Sequence, residues 1–268
     1  MNQNDFVHLR VHSEYSLVDG LVRVKELVKA AVREEMPAVA LTDQTNLFAL
    51  IKFYKAALAS GIKPICGVDL WVVDDIDPEA PPTQLTLLVK EGAGYKILME
   101  LVSRAYAEGQ ALDPERALVY RSWVESKAAG LIALSGARQG EIGHALLGGK
   151  PDVAERLVKW MAIFPDSFYL EIQRTGRPDE ESLIHLSVEL AKQTGCPLVA
   201  TNEVVFLASD DYEAHEARVC INQSRTIEDP DRPREYSEQQ YFRSAEEMGE
   251  LFHDLPSALQ NSVEIARR

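Results

Sequence analysis

The chain has 268 residues, 46% hydrophobic and 26% charged, enough apolar material for one large α/β barrel or two ordinary domains. Its formal net charge of −14 repels a phosphodiester backbone and excludes tight unaided binding of nucleic acid. No apolar run approaches the roughly 18 residues of a membrane span.

The start, MNQND, is polar and carries no apolar signal segment. Cys66, Cys196 and Cys220 are odd in number, far apart and in no CxxC spacing. They read as small buried residues in a reducing cytoplasm, not as staples or a zinc site.

Phe6 to Gly20, FVHLRVHSEYSLVDG, opens with Phe6, Val7, Leu9 and Val11 set among polar residues, which predicts a short buried strand. At its end His12, Ser13, Glu14 and Ser16 gather, and Asp19-Gly20 closes a turn. Polar side chains at the C-terminal tip of a buried strand are what an α/β barrel uses for an active site, and a capped turn is the alternative. Helices follow over 22–35 and 47–60, the second capped by Asn46, with a strand over 38–41 between them. Strands are predicted at 64–73, 84–90, 131–134, 168–173 and 197–200. The acidic, proline-rich stretch 74–83 is a loop, and 108–118 is irregular.

Further helices fall at 93–107, near Trp123, and at 141–147, 152–164, 179–194 and 211–221, with two more from Ala245 and from Pro256. Strands alternating with helices make a parallel sheet, here a closed or nearly closed barrel. His12, Asp43, Ser135 and Asn202-Glu203 recur at strand ends and mark its mouth. The last helix carries Leu259, Val263 and Ala266 on one face and lacks a stop signal, as expected of a piece of a longer polypeptide.

FVHLRVHSEYSLVDG, ALTDQTNLFAL, GIKPICGVDL, LSGARQGEIG, FYLEIQRTGRPDEES and PLVATNEVVFL, in that order, resemble the PHP (polymerase and histidinol phosphatase) domain found at the N-terminus of bacterial DNA polymerase III alpha subunits. The resemblance implies a distorted (β/α)7 TIM-like barrel over 1–268, with 210–268 a helical extension leading towards the polymerase palm. Active members hold up to three zinc or manganese ions on His and carboxylate ligands and hydrolyse phosphoesters.

Against that pattern, HxH reads Arg10-Val11-His12, TDH reads Thr42-Asp43-Gln44, and the usual glutamate is Asp69. Gln84 and Ala137 stand where donors are expected, and the closing DxH is Glu203-Val204-Val205. His12, Asp19, Asp69 and Glu203 are the residual, weak metal candidates. The implied cleft is vestigial, with no cofactor and no catalytic residue expected. Arg10 is expected to fill the metal space and pair with Asp19, Asp69 or Glu203.

The resemblance also implies docking of the proofreading exonuclease (epsilon) subunit and attachment to the remainder of an alpha chain that is a DNA-directed DNA polymerase. The rival is an active metal-dependent phosphoesterase or 3′–5′ exonuclease. A sugar- or phosphate-binding barrel is a weaker third reading. His8 is expected to be a hydrogen-bonded barrel residue, and His144, His185, His215 and His253 surface or packed helix residues. Trp71, Trp123 and Trp160 are expected to be anchors. Arg225, Arg232, Arg234 and Arg243 are read as a solvated basic loop contacting the rest of the polymerase in preference to a DNA site, and Arg174 to Pro178 as a phosphate contact or a plain strand-to-helix loop.

Overall fold

The computed structural model describes residues 6–75, 77, 80–111, 113 and 116–268; parts of the 74–83 and 108–118 loops and the polar start lie outside them. In chain order the elements are α1 (Val24–Arg33), β1 (Ala38–Leu41), α2 (Leu50–Ala59), β2 (Lys63–Val73), β3 (Thr83–Val89) and α3 (Gly92–Ala107). Then come β4 (Leu118–Tyr120), α4 (Arg121–Glu125), β5 (Leu131–Leu134), α5 (Glu141–Leu147), α6 (Val153–Ile163), β6 (Phe168–Gln173) and α7 (Glu180–Thr194). The chain finishes with β7 (Leu198–Thr201), α8 (Tyr212–Asn222), α9 (Ala245–Leu251) and α10 (Pro256–Arg267).

The sheet runs β1-β2-β3-β5-β6-β7, with β4 beside β2. The opening segment closes the ring. Ala40 N donates to His8 O and Thr42 N to Val11 O on one side, while Val204 N donates to Arg10 O and His12 N to Val204 O on the other. The result is a distorted α/β barrel.

Three expectations need correction. The sheet is not wholly parallel, because β3 runs antiparallel to both β2 and β5. β4 is a strand where none was expected. The opening run is buried and extended, but Val11 makes only an isolated bridge to Val204. The reason lies in side-chain direction. Val7 and Leu9 join the interior cluster, Phe6 and Val11 an outer one, and yet Arg10 also meets the interior acids. The two-residue alternation slips by one between Leu9 and Arg10, which a regular strand cannot do.

Inside the ring the layers change character. Val7, Leu9, Ala38, Ala40, Ile65, Leu88, Ile132, Leu134 and Val199 pack with Val263 and Ala266 of α10, which plugs one end. Ser262 Oγ accepts from Val7 N at 3.1 Å and Asn261 Nδ2 donates to Leu198 O at 2.7 Å, fixing the plug. Each buried aliphatic side chain contributes about 1.5–3 kcal/mol of transfer free energy. At the other end the same strands turn polar, and that layer is the site. Two further clusters lie between sheet and helices, and Met248 of α9, Phe252 just after it and Leu259 of α10 join one of them. Among the described residues no helix is long and apolar enough to cross a membrane.

Candidate functional site

Asp69, near the middle of β2 and fully buried, is the hub of the polar layer. Its Oδ2 accepts from Arg10 Nε at 2.6 Å and faces His12 Nε2 at 2.8 Å, and its Oδ1 accepts from Thr86 Oγ1 at 2.5 Å. Arg10 Nη2 lies 3.0 Å from Glu203 Oε1 and also donates to Gln84 Oε1, while Nη1 is 3.7 Å from Glu171 Oε1. Glu203 Oε2 in turn accepts from Arg177 Nη1 at 2.9 Å, and Arg177 reaches Glu180 and Gln173. Acid and base therefore alternate through the mouth: Asp19, His12, Asp69, Arg10, Glu203, Arg177, Glu180.

The electrostatics follow from burial and neighbours. His12 has a carboxylate at each ring nitrogen, Asp19 at Nδ1 (2.9 Å) and Asp69 at Nε2. Burial favours the neutral ring, but these two acids outweigh it and raise its pKa well above the usual 6.5. Both nitrogens then donate. Asp19, despite burial that pushes it up, is drawn down to about 2 by His12. Asp69 and Glu203 are likewise pushed up by burial and drawn below the ordinary range, each chiefly by Arg10. Arg10, only 1% exposed, has its pKa raised because Asp69, Glu203 and Glu171 outweigh desolvation.

Glu171 differs from its neighbours. Burial raises its pKa, and Oε2 has no hydrogen-bond partner among the described residues, although Oε1 accepts from Thr201 Oγ1 at 2.5 Å. Asp43 is pushed up to about 6 by burial, while it accepts from Ser13 N at 2.5 Å and Ser13 Oγ at 2.8 Å. The turn beneath is tight. A Cβ at Gly20 would sit 1.8 Å from Ser13 O, so the backbone crossing there admits only glycine.

The structure brings Arg10, His12, Asp19, Gln44, Asp69, Gln84 and Glu203 into one network; Gln44 Nε2 donates to Asp69 O at 3.0 Å and Gln84 Nε2 to Gln44 Oε1 at 3.2 Å. The Asp43 carboxylate is held by Ser13, while the Asp43 backbone carbonyl accepts from Asp69 N at 3.4 Å. Ala137 and Val205 stand apart. Ala137 begins a short turn after β5 with φ 44°, and Val205 is fully buried and tied by its backbone to Leu21 and Gln240. Above the network opens a cleft of about 810 Å³, lined by Gln44, Gln84, Arg177, Glu203 and Tyr236 among others.

Sequence reasoning gave no role in this network to Glu171, Glu180 or Thr86, and placed Arg177 only within a strand-to-helix loop. Glu171 carried a usable signal: it is an inward-facing acid on a strand, FYLEIQ, that is buried throughout. Arg177 carried none, since its role depends on a loop conformation.

Other expectations resolve as follows. His8 Nε2 is 2.8 Å from Arg243 O, between the rings of Phe6 and Phe242, and burial drops its pKa to about 4. His215 is packed against Phe206 and Tyr236, while His144 and His185 are exposed on their helices. His253 lies in a turn after α9 rather than on a helix. Asn46 braces the turn before α2, with Oδ1 accepting from Phe48 N, but Ala49 occupies the N-cap.

Trp71 is half-buried, Trp123 and Trp160 are buried, and each faces an arginine, Arg104 lying 3.8 Å over Trp123. The arginines at 225–243 are not a uniformly solvated loop. Arg232 makes an ion pair with Glu216 in which both side chains are largely buried, Arg225 pairs with Asp229, and Arg243 lies over the Tyr241 ring. Arg174 pairs with Glu181 and Asp254. The cysteines are free, Cys66 half-buried and the other two buried. Among the described residues, no group of three or more His, Cys, Asp and Glu side chains is arranged to hold a metal ion.

Comparison with known proteins agrees with this architecture. The family model of the PHP domain matches residues 8–175. DNA polymerase III subunit alpha of Pseudomonas fluorescens is 55% identical over 264 residues, 98% of this chain and 22% of that protein. The Escherichia coli K12 protein of the same name is 50% identical over 270 residues, 100% of this chain and 23% of its own length. The chain thus spans less than a quarter of these relatives.

Among solved structures, an amidohydrolase from Chromobacterium violaceum with bound sulfate and no metal has a TM-score of 0.51 at 14% identity, covering 79% of this chain and 96% of its own. That likeness speaks for the fold alone. Taken with the barrel and its polar mouth, the family match over most of its length establishes that the chain belongs to the PHP domain family.

Proposed function

We propose that this PHP domain is non-catalytic and serves as scaffold and docking platform within the alpha chain of a replicative DNA polymerase, its partner being the proofreading exonuclease (epsilon) subunit. One observation carries the loss of chemistry: the Arg10 guanidinium sits at the centre of the mouth, held by Asp69 and Glu203. A divalent cation placed there meets a fixed positive charge within a few ångströms. Most of the lone pairs that it needs are also committed, Asp19 Oδ1 and Glu171 Oε2 being the carboxylate oxygens left without a hydrogen-bond partner among the described residues. An imidazolium offers none, and Asp69 already accepts from three side chains. The residues present do not fit the family's polynuclear metal centre, and no hydrolytic step is derived through one.

The setting within an alpha chain is supported by the relatives, which are named as polymerase alpha subunits, and the exonuclease as partner is the proposal's own step. A packed barrel can keep supporting neighbouring surfaces after its chemistry has gone. In this reading the polymerising carboxylates lie outside this chain, and 210–268 leads towards the palm. The rival reading, a metal-dependent phosphoesterase, has Arg10, Gln44, Gln84, Ala137 and Val205 against it.

The test is metal analysis of the purified chain with hydrolysis of p-nitrophenyl phosphate under added manganese or zinc. Substoichiometric metal and no turnover are expected. Stoichiometric metal, with turnover lost on His12→Ala, overturns the loss of chemistry. Pull-down of the exonuclease by the chain tests the docking half separately.

A further inference from the structure

α2 is apolar on two faces. Leu50, Phe53 and Ala57 point into the core, which explains one of them. The other carries Ile51, Tyr54 and Leu58, 62%, 46% and 54% exposed, with Phe48 of the preceding turn at 63%. Seven of the fourteen large hydrophobic side chains exposed among the described residues fall within 17–58. Leu17, 60% exposed, lies in a turn that is tied to the segment before α2 through Asn46 Nδ2 donating to Tyr15 O at 2.9 Å. Single exposed apolar residues need no explanation, whereas a contiguous stripe on one helix does.

Charge narrows the occupant. In a chain of net charge −14, residues 21–63 hold seven Lys and Arg against four Asp and Glu, and one of those four, Asp43, is buried. Lys25 and Lys29 of α1 and Lys52 and Lys55 of α2 are exposed, on two helices packed side by side. Lys29 lies 2.9 Å from Glu26 and Lys52 3.7 Å from Glu14, exposed pairs worth little each, which an incoming carboxylate can replace. A second copy is disfavoured, since a two-fold contact would set this basic face against itself. Nucleic acid is disfavoured because the stripe offers phosphate nothing and the rest of the chain repels it. The same overall charge opposes an anionic membrane.

We infer that the outer face of α1 and α2 docks an acidic, amphipathic helical segment of a second protein, its apolar side chains on Phe48, Ile51 and Leu58 and its carboxylates on Lys52 and Lys55. The inference rests on the reading of this domain as a docking platform and gives that platform a surface and a partner chemistry. A segment of about three turns matches α2, which is about 15 Å long.

The test uses fluorescence anisotropy of a labelled synthetic helix with Leu at i, i+3, i+4 and i+7 and flanking Glu. A Lys-for-Glu counterpart and a scrambled peptide are the controls. Two variants, Ile51→Asp with Leu58→Asp and Lys52→Glu with Lys55→Glu, are checked by circular dichroism for an unchanged fold, which is expected because all four side chains face solvent. The acidic peptide alone is expected to bind, about tenfold or more weakly to either variant.

Equal binding of the controls, no binding by the wild-type chain, or indifference to both variants overturns the inference. So does a concentration-dependent dimer, or binding to phosphatidylglycerol vesicles or duplex DNA, that is abolished by Ile51→Asp with Leu58→Asp. The two readings fail separately. A wild-type chain that does not retain the exonuclease sinks the platform and leaves the peptide result standing. A peptide indifferent to both variants sinks this face and leaves the pull-down standing.

Discussion

Replacing Arg10 by methionine keeps the apolar stem of the side chain and removes the guanidinium with its charge. Arg10 is 1% exposed, and its fork is 2.6 Å from Asp69 and 3.0 Å from Glu203, both themselves buried. Removing one partner from such a cluster leaves uncompensated acids in a low-dielectric pocket, for which the cost is about 3–5 kcal/mol. For a chain of this size that lowers the thermal midpoint by roughly 10 °C.

The pH dependence sets this cost apart from simple loss of packing. In the wild type Asp69 and Glu203 titrate below their unfolded values, so their stabilisation is present above those values and is lost as pH falls through the depressed ones. Without Arg10 the main charge opposing burial is gone, and the folded pKa of each shifts upward against the remaining hold of His12 on Asp69 and of Arg177 on Glu203. The penalty is then largest at neutral pH and shrinks on acidification. Urea unfolding followed by circular dichroism, near neutrality and at about pH 5, measures both quantities. A loss below about 1 kcal/mol, the size of a surface pair, refutes the reasoning, as does a difference that fails to narrow.

His12 is expected to remain an imidazolium at neutral pH, which the ring ¹⁵N shifts report; a titration midpoint near 6.5 contradicts its place between Asp19 and Asp69. Because its folded pKa is raised, its stabilisation is complete below about 6.5 and is lost as pH rises through the folded value, so the cost of His12→Gln fades in alkali. Arg10→His alone is expected to give no thermal shift on adding zinc or manganese. Arg10→His with Gln44→His, Gln84→His, Val205→His and Ala137→Cys is expected to give one, and a shift from the single change would upset the accounting of ligands. Arg232→Met is expected to speed chymotryptic cleavage at Tyr236, since the Arg232–Glu216 pair and the Tyr236 hydroxyl on Asp19 hold the segment over the mouth. Unchanged cleavage counts against that role.

The order and ends of most elements were legible because core-facing side chains recur at periods of 2 and 3.6 along the chain. The direction of β3 was legible too, though the alternation of strands and helices misled. Inward residues run apolar to polar on β6 (Tyr169, Glu171, Gln173) and on β7 with its exit (Val199, Thr201, Glu203). On β3 they run Gln84, Thr86, Leu88, polar first, as a reversed strand must. The chemistry of the side chains at the mouth, Arg10 above all, was also readable, because it belongs to the side chain itself.

Which acid meets which base was not readable. Asp19 was as good a partner for Arg10 as Asp69 on paper, yet it goes to His12, and Arg177 arrives from a loop that no periodicity marks. The slip between Leu9 and Arg10 decides this, turning the guanidinium inward where strict alternation would have pointed it out. Period and residue chemistry are local, and one chain states them fully. Pairing inside a closed ring depends on where distant strands converge, and only the tertiary fold sets those distances.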